Sequence, residues 1–497
     1  GSYPDLGAFE NPRSEPLPHN TKIYVSTNGK DEGVGLENSP FKTIQAAVDY
    51  SVDADTIIVK PGTYIENIEI IQKDIVLGSL YLISNDTSYI SQTIIDGNQS
   101  GNVVKYENVE GSTTVLNGFT ITNGLTSSDG GGIYCNNSSL RIENTIVNNN
   151  MGSEGGGVYI RNSTVSMQDM NIGNNSSSIG AGIRILDASS VIIENSVIRN
   201  NTANTGSSGF FRGGGIYVSG VSDVTLSNLI VSKNTAKDHG GGIFFSSDSD
   251  FHLTNLLIAN NSAGSWGGGI GFYNNNGSDL NIALENVTIS NNTVLSGSGD
   301  GIYVEQINND IDLVNSIIWN DEIHIVTNSN PELTGSVNSS YSNIQGGWVG
   351  TGNIDADPLF TDTTNGDFTL TFYSPAIDAG DPDLDGDGTT WENDTDDQDP
   401  DGTRMDMGAY YFDLRDTKPP TVNLTGPTVS KLKLGTKHNI TWTTTDNFPT
   451  DTIKIKLAYT TDSGTSWEKI ADTLSNTGSY EWSVPNIPSA NGGIKIT

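Results

Sequence analysis

A single cysteine, Cys135, stands in 497 residues, so no intrachain disulfide can form. It follows Ile133 by two positions on one strand face and is expected to be a buried, inert thiol. No apolar run approaches the ~18 residues that a membrane-spanning helix needs, and no signal-peptide pattern opens the chain. Basic residues are scarce: 24 Lys+Arg against 59 Asp+Glu give a formal net charge of −35. That argues against nucleic acid or an anionic membrane as partner, because both need a basic surface. It fits an extracellular protein in a salt- or calcium-rich medium, and equally plain solubility. Nucleophile elbows, zinc-ligand spacings and phosphate-binding loops are missing too.

What the chain has is a repeat. Glycine clusters recur seven times, at Gly130-Gly131-Gly132, Gly155-Gly156-Gly157, Gly180-Ala181-Gly182, Gly213-Gly214-Gly215, Gly240-Gly241-Gly242, Gly267-Gly268-Gly269 and Gly299-Asp300-Gly301. A period in the twenties to low thirties marks a solenoid, whose units bury their apolar faces only by stacking. Second strands align as Leu140–Asn144, Val191–Asn195, Val224–Asn228 and Ile282–Asn286. Apolar and polar residues alternate with the two-residue period of strands, without a competing helical period. One Asn row runs Asn117, Asn144, Asn195, Asn228, Asn255, Asn286, Asn315, with Asp169 replacing it once. A second runs Asn123, Asn150, Asn175, Asn201, Asn234, Asn261, Asn292 and then Asp321. Asn tolerates left-handed backbone, and stacked on its copies it can form an amide ladder.

These units resemble the right-handed parallel β-helix superfamily, the fold of pectate lyases. Gly130-Gly131-Gly132-Ile133-Tyr134 and the paired Asn are similar to repeats of chlamydial polymorphic outer-membrane proteins and many bacterial surface proteins. Pro40–Ala47 with Asp55–Tyr64 resembles the opening common in the superfamily, and Ser374–Asp381 with Asp406–Tyr410 resembles its closing stretch. The resemblance spans residues 21–413 and implies fold rather than activity, since the scaffold hosts lyases, hydrolases, esterases, adhesins and spacers.

The expected class is therefore all-β: a parallel β-helix with a short N-terminal helical cap, plus a C-terminal immunoglobulin-like β-sandwich. Residues 1–20 read as the tail of a preceding module and a linker, because Asp5–Glu10 echoes Asp406–Tyr411. Gly1-Ser2 reads as a cloning remnant, so targeting sequence and further tandem modules are expected in the natural chain. Ile44–Ser51 is predicted helical and would cover the core end before a first strand at Thr56–Val59. Residues 21–413 form the β-helix with its caps, 355–413 being an acidic closing segment, and 414–420 a proline linker. Residues 421–497 carry short strands at Asn439–Thr443, Ile453–Tyr459 and Tyr480–Val484, the spacing of an immunoglobulin- or fibronectin-like domain, and stop at Thr497 in what reads as a strand, so that a truncated domain wanting its last strand is expected.

Two constellations carry chemistry. Asp381, Asp383 and Asp385, then Gly386, Asp387 and Glu392, follow the calcium-loop pattern of alternate carboxylates, a glycine turn and a distant Glu. Asp387 would contribute its backbone carbonyl; Pro382, Gly388 and the want of flanking helices depart from an EF-hand. Asp394, Asp396, Asp397, Asp399 and Asp401 could complete or replace the set, and structural calcium is the expected cofactor. The second constellation follows from alternation. With Ile133, Val158, Ile183, Ile216, Ile243, Ile270 and Ile302 inward, an outward stripe runs Tyr134, Tyr159, Arg184, Tyr217, Phe244, Gly271, Tyr303. Arg161, Tyr273 and Glu305 lie beside it. At a coil spacing of roughly 4.8 Å, exposed rings could stack on successive sugars while Arg184 or Arg161 meets a carboxylate or sulfate.

Three functions remain open. The first is a noncatalytic, carbohydrate-binding or adhesive segment of a secreted or surface-anchored bacterial protein, with a polysaccharide or surface glycan as partner. The second is a polysaccharide lyase or hydrolase on an acidic glycan, with Arg184 and Arg161 the nearest imitation of lyase chemistry. The third is a spacer. The outward acids Glu143, Glu194 and Glu285 lie coils apart and suit a solvated face better than a hydrolytic pair; His239 and His252 read as polar surface.

Overall fold

The computed structural model describes residues 19–497 apart from 188, 206–208, 221, 248–250, 274–281, 306–310, 327–336, 416–418, 447 and 450–452. The echo at Asp5–Glu10 and part of the proline linker lie outside the described residues.

Coils of three strands follow from the repeat. One runs Ile183–Leu186, Ser190–Arg199, Thr202–Ala203; the next runs Ile216–Gly220, Asp223–Ser232, Thr235–Ala236. Corresponding strands of successive coils pair in parallel without a register shift, as in Ile183↔Ile216 and Val191↔Val224. The inward residues Ile133, Ile183, Ile216, Ile243, Ile270 and Ile302 are fully buried in one continuous core, and Cys135 is buried among them. The result is a parallel β-helix, the architecture the period demands.

From Asn144 and Asn150 onward both Asn rows do what their chemistry allows. Asn117 faces Glu143 and Asn123 stands level with Asn149, so each falls one residue short of the row expected to begin with it, and Gly118 and Gly124 take those places. In the first, Asn144, Asp169, Asn195, Asn228, Asn255, Asn286 and Asn315 all take positive φ. In the second, each buried Asn from Asn150 to Asn261 donates Nδ2–H to the Oδ1 of the next at 3.0–3.1 Å. The same Oδ1 accepts the preceding backbone N–H, so a row of buried amides is satisfied with no water.

The cap helix forms at Ile44–Tyr50, with the Thr43 hydroxyl accepting from Ala46 N–H and with Ile44, Ala47 and Val48 buried. Glu66 accepts the Ile44 and Gln45 N–H groups at 3.0 Å, completing its N-terminus. The first strand differs from expectation: Lys22–Val25 precedes the helix and pairs in parallel with Thr56–Val59. Short helices at Tyr81–Ser84 and Ser88–Gln92 are additional.

Within the unit that holds the coils, the closing segment, residues 355–370, 374–397 and 404–411, doubles back along the flank of the last coils. Gly408 N–H donates to Asn315 O at 2.6 Å, Ala409 N–H to Thr288 Oγ1 at 2.9 Å and Asp381 N–H to Asn315 Oδ1 at 2.6 Å. Its antiparallel hairpin, Phe360–Asp362 with Asp367–Leu370, packs Phe368 onto Leu257 and Ala259.

The chain divides into two compact units. One comprises residues to Leu370 with Ser374–Asp397 and Arg404–Tyr411; the other comprises Thr371–Tyr373, Gln398–Thr403 and Phe412–Thr497. The second unit holds two three-stranded antiparallel sheets around Ile440, Trp442, Ile455, Leu457, Trp482 and Val484.

Candidate functional site

The outward stripe is aligned as alternation requires: Tyr134, Tyr159, Arg184, Tyr217, Phe244, Gly271 and Tyr303 are successive register partners, continued by His324. It is not exposed. Tyr159, Arg184, Tyr217, Phe244 and Tyr303 are each 5% exposed or less, and Tyr134 is half-buried. The cause is the turn before each strand. A Cβ on Gly213, whose φ is +64°, would stand 2.5 Å from the Tyr217 Cβ, so only glycine lets the chain fold back across the stripe. The residues preceding such glycines then lie over the stripe at Glu154, Arg212, His239 and Trp266. His239 stacks on Trp266 at 4.2 Å and on Phe244 at 5.9 Å, and Trp266 stacks on Tyr303 at 5.2 Å. His239 is thus a buried ring rather than polar surface; burial, then the Arg212 charge, pulls its pKa down to about 4.

Arg184 belongs to this stack. Its guanidinium carbon lies 4.4 Å from the Tyr217 ring centroid, with Nε on Glu154 at 2.9 Å, Nη1 on Ile185 O and Nη2 on Ser219 Oγ. Every face of the group is taken, so it serves neither as a base nor as a receptor for a sugar carboxylate. Arg161 is exposed but paired with Asp187 at 3.0 Å, and Tyr273 is half-buried. Arg184→Ala should therefore lower unfolding stability by about 2–3 kcal/mol, less than a fully buried pair because Glu154 is partly exposed, and leave glycan affinity unchanged. Denaturant titration beside affinity electrophoresis checks both halves.

A concave site lies elsewhere on the same unit. The flank of the β-helix and the returning hairpin enclose about 350 Å³, with Val197, Ile230, Leu257, Ala259, Phe368 and Tyr410 supplying apolar wall. Asn171, Asn200, Asn260 and Asn365 supply amides, and Arg199 and Lys233 supply charge. Among the described residues neither cation has an acidic partner or a side-chain hydrogen bond, although the chain carries a large acidic excess. The two sit on adjacent coils, since Arg199 pairs in register with Ser232. No Asp or Glu is among the described residues lining the site.

Lys233 also breaks a backbone rule. Its position in other coils is held by Asn123, Asn149, Asn174, Asn200, Asn260, Asn291 and Asn320, all at φ between 56° and 62°. Lys233 takes φ 56° with no side chain suited to it. A non-Gly, non-Asn residue pays of order 1–2 kcal/mol there, and strain of this kind concentrates where a side chain has work to do. Sequence reasoning passed over Arg199 and Lys233; the lone Lys at an Asn position was the available signal.

The acidic loop gathers part of its expected set. Carboxylate oxygens of Asp383, Asp385 and Asp397 lie within 4.8 Å of one another, as do those of Asp385, Asp387 and Asp394. Asp381 accepts the Asp383 N–H through its carboxylate, and its own N–H turns to Asn315. Glu392 stands outside both groups, fully solvated and bound by the Thr390 hydroxyl, because no flanking helix brings it back to the glycine turn. Burial first, then the charges of Asp394, Asp385 and Asp383, hold the Asp397 carboxyl above the usual range.

A larger hollow of about 810 Å³ in the second unit is lined mainly by Leu, Val, Ile and Pro with Lys431 its one charged lining residue among those described; no convergent chemistry is found there. No described helix is long and apolar enough to cross a membrane.

Residues 117–356 match the family model described as a right handed beta helix region. Among solved structures the chain is similar to pectate lyase Pel9A, at 14% identity over 78% of this chain and 96% of that one, with a TM-score of 0.41. It is similar also to XylC in complex with xylose (13% identity, 68% and 87% covered, TM-score 0.41) and to a rhamnogalacturonan lyase (15%, 75% and 99%, 0.39). At these values the likenesses carry no inference about activity. No curated protein sequence matches the chain.

Proposed function

We propose that this member of the right-handed parallel β-helix superfamily binds an acidic polysaccharide in the groove between its flank and the returning hairpin. The observation that carries this is the pair Arg199 and Lys233: two unpartnered cations side by side, one of them in a strained conformation, in a strongly acidic chain. Cations that could have been neutralised locally and are not retain their charge for a ligand. Amides from Asn171, Asn200, Asn260 and Asn365 suit hydroxyls, and the Tyr410 ring suits a sugar face. Coils stack at roughly 4.8 Å, so the exposed Asn row on either side of Lys233 extends the same surface along a chain of sugars. The setting we assign is a secreted or surface-held bacterial protein of more modules than this one, in which the two C-terminal sheets around Trp442 and Trp482 form an immunoglobulin-like domain.

One observation favours a second use of the same groove. A Lys and an Arg are the base and the charge neutraliser that β-elimination from a uronate requires, whereas two-carboxylate hydrolysis has no donors there.

Electrophoresis through gels containing polygalacturonate or a neutral glucan tests the binding reading. Retardation is expected in the acidic gel alone, weakening with added salt and falling about tenfold in apparent affinity in Arg199→Ala. Equal retardation of Arg199→Ala and parent, or none for either, overturns it. Ultraviolet absorbance from unsaturated ends, lost in Arg199→Ala and Lys233→Ala, would turn binding into lyase activity.

A further inference from the structure

The acidic loop between Asp381 and Asp397 holds more than a cluster of carboxylates. Asp397 is fully buried, and its Oδ2 has no hydrogen-bond partner among the described residues. A buried, unpartnered carboxylate oxygen among other carboxylates costs several kcal/mol unless a cation meets it. Its second oxygen, Oδ1, is committed to the Leu384 N–H at 2.7 Å, which fixes the side chain toward Asp383 and Asp385.

The neighbours are arranged likewise. Asp383 Oδ1 accepts the Gly388 N–H at 3.3 Å, and Asp385 Oδ1 accepts the Asp387 N–H at 3.0 Å. Each carboxylate thus gives one oxygen to the loop backbone and keeps another. Trp391 N–H donates to Pro382 O at 2.9 Å and closes the loop behind them. All the donors are hard oxygens, with no His or Cys in the cluster, and the loop turns at Gly386 and Gly388 with φ of 72° and 88°. That chemistry selects a large, hard divalent cation over zinc or copper.

We infer that Asp383, Asp385 and Asp397 bind one Ca²⁺ that fastens the returning segment to the β-helix. The loop begins at Asp381, whose N–H is already anchored on Asn315 Oδ1, so a cation at Asp397 ties residues on both sides of the loop to the last coils. The site is independent of the groove and stands whether or not that groove binds glycan.

Calorimetric titration of the full chain with CaCl₂, paired with thermal melting in Ca²⁺ and in chelator, tests it. Saturable one-site uptake and a melting temperature several degrees higher in Ca²⁺ are expected. Asp385→Asn and Asp397→Asn should each weaken uptake by about tenfold or more and abolish the melting shift. Asp223→Asn, an exposed acid outside the loop, should leave both unchanged. Should Asp397→Asn fail to fold, the exposed Asp385 decides the matter alone. A chain that takes up no Ca²⁺ at millimolar concentration, or an Asp385→Asn chain that binds like the parent, overturns the site.

Discussion

Lys233→Asn is expected to give a more stable protein that binds acidic polysaccharide about tenfold less tightly or worse. The two effects have one cause. At φ 56° the backbone of residue 233 sits where Asn is held in seven other described coils, and where the Lys Cβ crowds its own carbonyl. Restoring Asn should relieve about 1 kcal/mol of that strain and join the chain to an unbroken row. It also deletes one of the two cations in the groove, and a charge-assisted contact to a carboxylate is worth about 1.5–3 kcal/mol. Lys233→Arg separates strain from charge: it keeps the strain and the cation, so it should bind and should not gain stability. Urea midpoints and gel retardation measured on the three proteins check this. A Lys233→Asn chain that gains stability and binds as before would leave the strained Lys without a purpose and remove the groove from consideration.

Which parts were legible in the sequence divides along the repeat. Whatever repeats was legible. The glycine clusters, the Asn rows from Asn144 and Asn150 onward and the inward isoleucines follow from a period that each coil must obey to stack, and they appear at their expected places, whereas Asn117 and Asn123 stand one residue ahead of theirs. The identity and alignment of Tyr134, Tyr159, Arg184, Tyr217, Phe244 and Tyr303 were legible for the same reason. Their burial was not, because alternation reports which side of a strand a residue faces and says nothing about what folds over it. The cover comes from residues that precede the glycines, Glu154, Arg212, His239 and Trp266, brought across by a left-handed turn.

What depends on non-repeating segments was out of reach. The groove has one wall in the coils and another at Asn365, Phe368 and Tyr410, more than a hundred residues later. No periodic pattern encodes that pairing. The lone Lys in the Asn row was visible, but its meaning needs the wall beside it. In the acidic loop, spacing pointed to the alternate aspartates and named Asp397 among five acids that could complete or replace the set, but which of the five joins Asp383 and Asp385 depends on how the loop closes on Pro382.

The Asn ladder ends in a carboxylate, and that end should make stability depend on pH. Asp321 takes the place of the next Asn: it accepts the Asn292 N–H at 2.8 Å and Nδ2–H at 2.6 Å. Burial raises its pKa from 3.8 to about 7, the Asn292 hydrogen bonds opposing this and the Asp300 charge adding to it. The folded state therefore holds a proton there that the unfolded chain has released. Below the unfolded value of 3.8 both states are neutral and the group costs nothing. As pH rises from there to about 7 the folded protein must either keep a proton against the solvent or bury a charge, and the penalty is complete above that point. Asp321→Asn keeps an acceptor for both Asn292 donors, gains an amide that can donate as its predecessors do, and has no charge to lose. It should be indistinguishable from the parent near pH 4 and more stable above pH 7 by roughly 1–3 kcal/mol, the lower part of the range reflecting the partial access of solvent to residue 321. Denaturant titrations at both pH values decide it: equal stabilities above pH 7 would mean that Asp321 ionises freely in the folded chain, and a less stable variant at both would mean that the ladder needs the carboxylate itself.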